Sequence, residues 1–289
     1  MEPRHSLWQA AAASLTLARV STSYFRDKSV LITGASSGIG EEMAIQFASA
    51  GAKVILAARR RDLLEALAKK ITASGYTEPV VVECDVTRDG DVERAVEAGI
   101  RSFGKLDIVV ANAGFGVVGA VAKLSVEDYR RQFETNVFGV LRTIFATLPE
   151  IKKTCGNLVI MGSVAGWGAS PGSSPYAMSK FALRGLAESI TPELLRSGVK
   201  VTLISPGFVV SNIRRVDNTG NFHAEARDST VPWLHVPTDV AVRKMLRAIA
   251  RGEREEIITF HGKALVAIQR FAPWIIRALS NRFSPRSRQ

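Results

Sequence analysis

Residues 29–40 read Ser-Val-Leu-Ile-Thr-Gly-Ala-Ser-Ser-Gly-Ile-Gly, and this stretch constrains the fold more than any other. Residues 29–32 form a short apolar run of the kind that suits a strand buried on both faces of a parallel sheet. Gly34, Gly38 and Gly40 then open a segment with apolar residues at helical spacing. Glycines so placed permit a tight turn, close approach of backbone to a pyrophosphate, and close packing of helix on strand. The anion would lie over the helix N-terminus, where free N–H groups and the helix dipole favour negative charge. The spacing, Gly-x-x-x-Gly-x-Gly, differs from the usual dinucleotide fingerprint. A second strand-helix unit follows at once, with a strand predicted over residues 53–57 and a helix over 59–73. Such alternation implies an α/β fold, a doubly wound parallel sheet with right-handed crossovers and helices on both faces. With 289 residues and 46% hydrophobic content, one domain of roughly 230–250 residues is expected.

A second constellation concerns chemistry. Ser163 precedes Tyr176 by thirteen positions, and Lys180 follows four later. On a helix over residues 175–197, Tyr176 and Lys180 share a face one turn apart. An ammonium beside a phenol favours the phenolate, so Tyr176 could exchange a proton near neutral pH. Ser163, from a separate segment, could hold the oxygen being protonated. This is the equipment of a carbonyl/alcohol oxidoreductase.

Together with the glycine turn, these residues resemble the short-chain dehydrogenase/reductase family, over about residues 29–260. The family's glycine motif matches residues 33–40. Its acidic adenine contact matches Asp85, followed by Val86. Its Asn-Ala-Gly motif matches Asn112, Ala113 and Gly114 after a strand over 106–110. Its helical asparagine matches Asn136, and Pro206-Gly207 follows the sixth strand. Ala111 stands where a second Asn is common, and Ser211 replaces a frequent Thr but keeps the hydroxyl. The resemblance implies a single Rossmann-type domain. It also implies a nicotinamide dinucleotide held by Gly34, Ser36, Ser37, Gly38, Ile39, Gly40, Arg59, Asp85, Val86, Asn112, Ala113, Gly114, Tyr176, Lys180, Pro206, Gly207, Val209 and Ser211. It implies that Tyr176 is the acid/base, that Ser163 binds the substrate oxygen, and that Lys180 lowers the Tyr176 pKa and binds ribose. Asn136 is expected to hold a water that links Lys180 to solvent.

NADP(H) is expected over NAD(H). An NAD site places a carboxylate at the end of the second strand for the ribose 2′-hydroxyl, and here that position is Ala58, with no acid until Asp62. Arg59, Arg60 and Arg61 follow, and a guanidinium can grip a 2′-phosphate through paired charged hydrogen bonds. Arg59 is the expected contact, with Arg60 and Arg61 solvated.

The net charge is +11, and residues 261–289 hold six bases and no acid. A nucleic-acid protein usually carries its basic stripe on the folded core, so no nucleic-acid partner is expected. The segment is amphipathic. Lys263, Arg270 and Arg277 recur every seven residues, opposite Leu265, Ile268, Phe271, Ile275, Leu279 and Phe283. Pro273 must break or kink the helix. The segment reads either as a membrane-surface helix or as one whose apolar face packs on the chain's own body or a partner subunit. Residues 1–28 read as an arm, 29–260 as the catalytic domain and 261–289 as an extension. Two cysteines, Cys84 and Cys155, give no disulfide framework and suggest a reducing, cytoplasmic setting. The four histidines have no metal-ligand spacing, and no metal is expected.

Apolar candidate pocket walls, residues 115–118 and 167–174 with Ile213, Phe222, Trp233 and Leu234, suit a lipophilic ketone or alcohol. A 3-oxoacyl-carrier-protein reductase is the alternative enzyme reading, and a non-catalytic cofactor sensor the alternative of another class. Pairing through the helices carrying Asn136 and Tyr176 would give a homodimer or homotetramer, as the resemblance implies.

Overall fold

The computed structural model describes residues 23–276, except 211, 212, 214, 215, 222, 224 and 226–233. Seven parallel strands form one sheet in the order β3-β2-β1-β4-β5-β6-β7. They are β1 (Ser29–Thr33), β2 (Lys53–Ala58), β3 (Val80–Glu83), β4 (Ile108–Ala111), β5 (Asn157–Met161), β6 (Lys200–Ser205) and β7 (Glu255–Ile257). The order reverses between β1 and β4, which opens the crevice where such sheets bind ligands. The doubly wound expectation holds, with small shifts at element ends. β4 begins and ends later than the apolar run suggested, and β2 reaches Ala58.

Helices cover both faces. On one lie α1 (Gly38–Ser49), α2 (Arg61–Ala73) and α7 (Thr238–Arg251); on the other lie α3 (Asp91–Phe103), α5 (Gly139–Lys153) and α6 (Ser174–Leu195). Period-two alternation along each strand divides the core. Val30 and Ile32 meet Phe47, Leu64 and Met245, while Leu31 and Ile55 point to the layer of Val92, Val140 and Leu183. A short helix α4 (Val126–Phe133) precedes α5, and α8 (Phe260–Phe271) follows β7. α4 begins with a capping box in which the Ser125 side chain and Asp128 satisfy each other's backbone N–H.

Two boundaries differ from expectation. Phe25 lies within the segment read as an arm, yet it is fully buried and meets Phe47 edge-to-face, with ring centroids 5.0 Å apart. The core therefore starts before Ser29. α8 begins at Phe260 and buries Gly262 and Val266 against the body, so the start of the extension is packed. Ala272 leaves the helical conformation and a new helical turn starts at Pro273, the break that proline imposes. No helix among the described residues is long and apolar enough to cross a membrane. Residues 1–22 and 277–289, and with them Arg277, Leu279 and Phe283, lie outside the described residues.

Candidate active site and cofactor cleft

The carboxyl ends of β1 to β4 open on a cleft of about 480 Å³. It is lined by the glycine turn from Gly34 to Gly40, by Arg59 and Arg60, by Asp85 and Val86, and by Asn112 to Phe115. Gly34 has φ +69°, which favours glycine, and a Cβ there would stand 2.8 Å from Ala113 Cα. A Cβ on Gly40 would meet Gly34 O at 2.3 Å. These two positions bring the α1 N-terminus against the β1 turn, a cradle that any side chain would fill. Asn112 closes the turn: its Nδ2 donates to Thr33 O at 2.9 Å and to Gly34 O at 3.2 Å. Asp85 Oδ1 accepts from Thr87 N and Thr87 Oγ1, while Asp85 Oδ2 has no protein donor among the described residues. Asp85 lines the cleft beside Cys84 and Val86.

The arginine run corrects the sequence reading at one position. Arg61 is exposed and pairs with Glu65 at 2.8 Å, as a solvated residue would. Arg60 is turned inward: its Nη2 donates to Ser36 Oγ at 3.0 Å and to Ser37 Oγ at 2.8 Å. Arg60 sits where the chain leaves β2 and enters α2, so its side chain folds back over the glycine turn. Arg59 Nη2 donates to Gly220 O at 3.3 Å, which ties the end of β2 to the segment over the cleft. Nothing in the spacing Arg-Arg-Arg indicates which side chain turns inward.

The segment after β6 covers the cleft. A parallel bridge of Val209 with Val236 closes its neck, and Ile213, Val216, Gly220 and Asn221 line the cavity below. Its tip is pinned by Asn218, which pairs with Val118 N and Val118 O, and by Arg131 Nε donating to Asn218 O. Asp217 accepts from Thr219 and Asn221 N and meets His223 Nε2 at 2.7 Å, and these hydrogen bonds hold its carboxyl well below the usual range. His261 accepts from Phe208 N at 3.2 Å and stacks on the Phe208 ring. Burial lowers its pKa, so the neutral imidazole needed for that bond is favoured. Ser211, Phe222 and Trp233 lie outside the described residues.

Lys180, Ser163 and Asn136 are buried, and Tyr176 is half-buried. Tyr176 and Lys180 lie on one face of α6, with Lys180 Nζ 5.6 Å from the Tyr176 ring centroid. Lys180 Nζ donates to Met161 O at 2.7 Å, and burial pushes its pKa down to about 8, so at neutral pH most of it keeps its charge. Ser163 caps a short 3-10 turn, its Oγ accepting from Ala165 N at 3.1 Å. Its hydroxyl proton has no protein acceptor among the described residues and remains available to a ligand. Tyr176, Lys180, Pro206, Gly207 and Val209 do not line the cleft itself. Val164 N donates to Pro206 O at 3.0 Å, which joins the Ser163 turn to the end of β6.

Asn136 lies in a π-helical turn, Glu134–Phe138, between α4 and α5, where Gly139 N reaches back five residues to Glu134 O. Its side chain makes no hydrogen bond to Lys180. Oδ1 accepts from Phe115 N, and Nδ2 donates to Phe115 O and Ser179 Oγ. One turn earlier Gln132, which has no solvent exposure, accepts from Val117 N at 2.6 Å and donates to Phe115 O at 2.9 Å. Two side-chain amides thus hold residues 115–117 as a neighbouring strand would, and a Cβ on Gly116 would stand 3.6 Å from the Tyr176 ring. Gln132 escapes sequence reasoning; its only signal is its place four residues before Asn136. Among the proposed pocket walls, Phe115 and Ile213 line the cleft. Trp167 turns away, its ring 3.4 Å from the Arg184 guanidinium carbon. No His/Cys/Asp/Glu cluster able to hold a metal occurs among the described residues.

This geometry has relatives. The family model described as short chain dehydrogenase matches residues 28–221. An uncharacterised oxidoreductase of Myxococcus xanthus is 39% identical over 231 residues, covering 79% of this chain and 86% of that protein. The 11-beta-hydroxysteroid dehydrogenase A of Sesamum indicum is 35% identical over 236 residues, covering 78% and 67%. A short-chain dehydrogenase/reductase of unknown function from Caenorhabditis elegans, solved with cofactor, superposes with TM-score 0.75 at 26% identity over 84% of this chain and 97% of that one. An alcohol dehydrogenase from Thermococcus sibiricus, solved with 5-hydroxy-NADP, gives TM-score 0.69 at 27% identity, covering 80% and 96%. With a nicotinamide-binding Rossmann cleft and an ordered set of matching motifs over most of its length, this chain belongs to the short-chain dehydrogenase/reductase family of oxidoreductases.

Proposed function

We propose that the protein is an NADP(H)-dependent dehydrogenase/reductase that interconverts a lipophilic ketone and its secondary alcohol. The observation that carries the cofactor reading is the end of β2, where Ala58 leaves the ribose without a carboxylate and Arg59 and Arg60 both border the cleft. A 2′-phosphate there would meet two guanidinium groups and the Ser36 hydroxyl, and no acid would repel it. The glycine turn would hold the pyrophosphate over α1, and Asp85 would accept from adenine.

When bound, the nicotinamide gives or takes a hydride at the substrate carbon. The chain's own residues handle the oxygen and its proton. Ser163 donates a hydrogen bond to the carbonyl oxygen and stabilises the charge that develops there. Tyr176 gives its phenol proton to that oxygen in reduction and accepts it in oxidation. The buried Lys180 ammonium favours the phenolate left behind, and two of its N–H groups remain for ribose hydroxyls. Asn136 shapes this site through backbone: its amide holds Phe115 while Gln132 holds Val117, and together they fix residues 115–117 beside the Tyr176 ring.

A lipophilic substrate is supported by Phe115, Ile213 and Val216 along the cleft. A homodimer is supported by Phe138, Phe145, Met178 and Phe181, which remain exposed around α5 and α6. Binding titrations with NADPH and NADH test the cofactor reading, and a panel of apolar and polar ketones at fixed cofactor tests the substrate class. Equal affinity for both cofactors would overturn the first, and preference for sugars or small polar ketones the second.

A further inference from the structure

α8 satisfies only one of its faces. Gly262 and Val266 are buried, and a Cβ on Gly262 would collide with Val164 Cγ1 at 2.8 Å, so this face is seated tightly. At 100° per residue, Phe260, Ala264, Ala267, Ile268 and Phe271 fall on the opposite side. That side is bare: Phe260 is 87% exposed and Phe271 80%, and Trp274, just beyond the Pro273 break, is 68% exposed. Two large aromatic side chains left in water on one helix face, with a third just past its end, exceed what scattered surface residues require. Along the flank, Arg270 lies 5.7 Å from the Phe271 ring centroid, and Lys263 pairs with Glu256 at 2.8 Å.

Charge decides which partner fits. From residue 261 to the end the chain holds Lys263, Arg270, Arg277, Arg282, Arg286 and Arg288 and no acid. A second copy meeting this face with its own equivalent face would set one basic segment, six bases and no acid, against another. An anionic lipid surface offers both an apolar layer for the aromatic ridge and counter-charge for the arginines. We propose that the outer face of α8, with Phe260, Ile268 and Phe271 and with Trp274 just beyond it, docks on anionic membrane surfaces, the aromatics entering the interface and Arg270 meeting lipid phosphates.

The full chain is tested by co-sedimentation with phosphatidylcholine vesicles with and without phosphatidylserine, at low and high salt. Binding is expected on the anionic vesicles only, weakening as salt rises. Replacing Phe260, Phe271 and Trp274 together by Ser should lower partitioning about 100-fold, since each aromatic removes a large apolar area from water in the bound state. All three positions are exposed, so far-ultraviolet circular dichroism of the variant should match the parent. Independently of that variant, lipid chains carrying bromine should quench the parent's tryptophan fluorescence, and Trp274→Phe should abolish most of the quenching. Failure of the parent to bind anionic vesicles would overturn the proposal. So would salt-insensitive binding to neutral vesicles, parent-like binding of the triple variant, or quenching unchanged by Trp274→Phe. A concentration-dependent dimer that the triple variant loses in lipid-free buffer would show that another copy covers the ridge, and would also overturn it.

Discussion

Gln132 offers the sharpest test of how the site is held. Its amide supplies an acceptor to Val117 N and a donor to Phe115 O, in full burial. Gln132→Leu keeps the volume but leaves the buried Val117 N–H without an acceptor, while Phe115 O retains its bond from Asn136 Nδ2. One orphaned buried donor costs about 1–3 kcal/mol, so a loss of about 2 kcal/mol is expected. Gln132→Glu separates hydrogen bonding from shape. The protonated carboxyl reproduces both bonds, its O–H donating to Phe115 O and its carbonyl accepting from Val117 N. The ionised form sets a buried negative oxygen against the Phe115 carbonyl. The folded state therefore raises the pKa of the introduced carboxyl above its unfolded value, about 4.3. The sign follows: below that value the variant approaches the parent, and above it stability falls by about 1.4 kcal/mol per pH unit until the folded pKa is passed. Urea unfolding of the parent and both variants between about pH 5 and pH 8 reads this directly. The Leu penalty should be flat with pH and the Glu penalty should grow. A pH-independent Glu penalty, or a Leu variant as stable as the parent, would refute the reasoning. Because residues 115–117 run beside the Tyr176 ring, the Leu variant should also lose kcat while its affinity for cofactor stays unchanged.

Three further outcomes are expected. Tyr176→Phe should bind cofactor normally and lower kcat by at least about 100-fold, the scale expected when a general acid is removed, measured by steady-state turnover of a competent ketone. Arg59→Ala and Arg60→Ala should each weaken NADPH binding about 10- to 150-fold and leave NADH nearly unaffected, the scale of one charged hydrogen bond, measured by fluorescence titration. Lys180 has a folded pKa of about 8 against an ordinary 10.5 because burial disfavours its charge. Between those values the unfolded chain holds the proton and the folded one does not, so this group makes stability rise with pH, by about 1.4 kcal/mol per unit. Unfolding across that window should show the rise in the parent and lack it in Lys180→Met.

Elements whose causes are local were legible in the amino acids alone. A run such as Val30-Leu31-Ile32, short and followed at once by a glycine turn, suits a strand buried on both faces, and Gly34 and Gly40 suit a tight turn and a close helix approach. Tyr176 and Lys180 share a face because helical geometry is the same everywhere. Pairings between segments distant in sequence needed the folded chain. Arg59, Arg60 and Arg61 are chemically identical, and only the path of β2 into α2 turns Arg60 onto Ser36 and Ser37. Asn136 was legible as a residue, yet its partner, the backbone of Phe115, is reached only because a π turn and the β4 loop are packed together. Gln132 carried no pattern, since a buried amide is defined by the groups around it. Phe25 and Trp167 show the same limit: an apolar side chain announces that it will be covered, and only the packed fold decides by what.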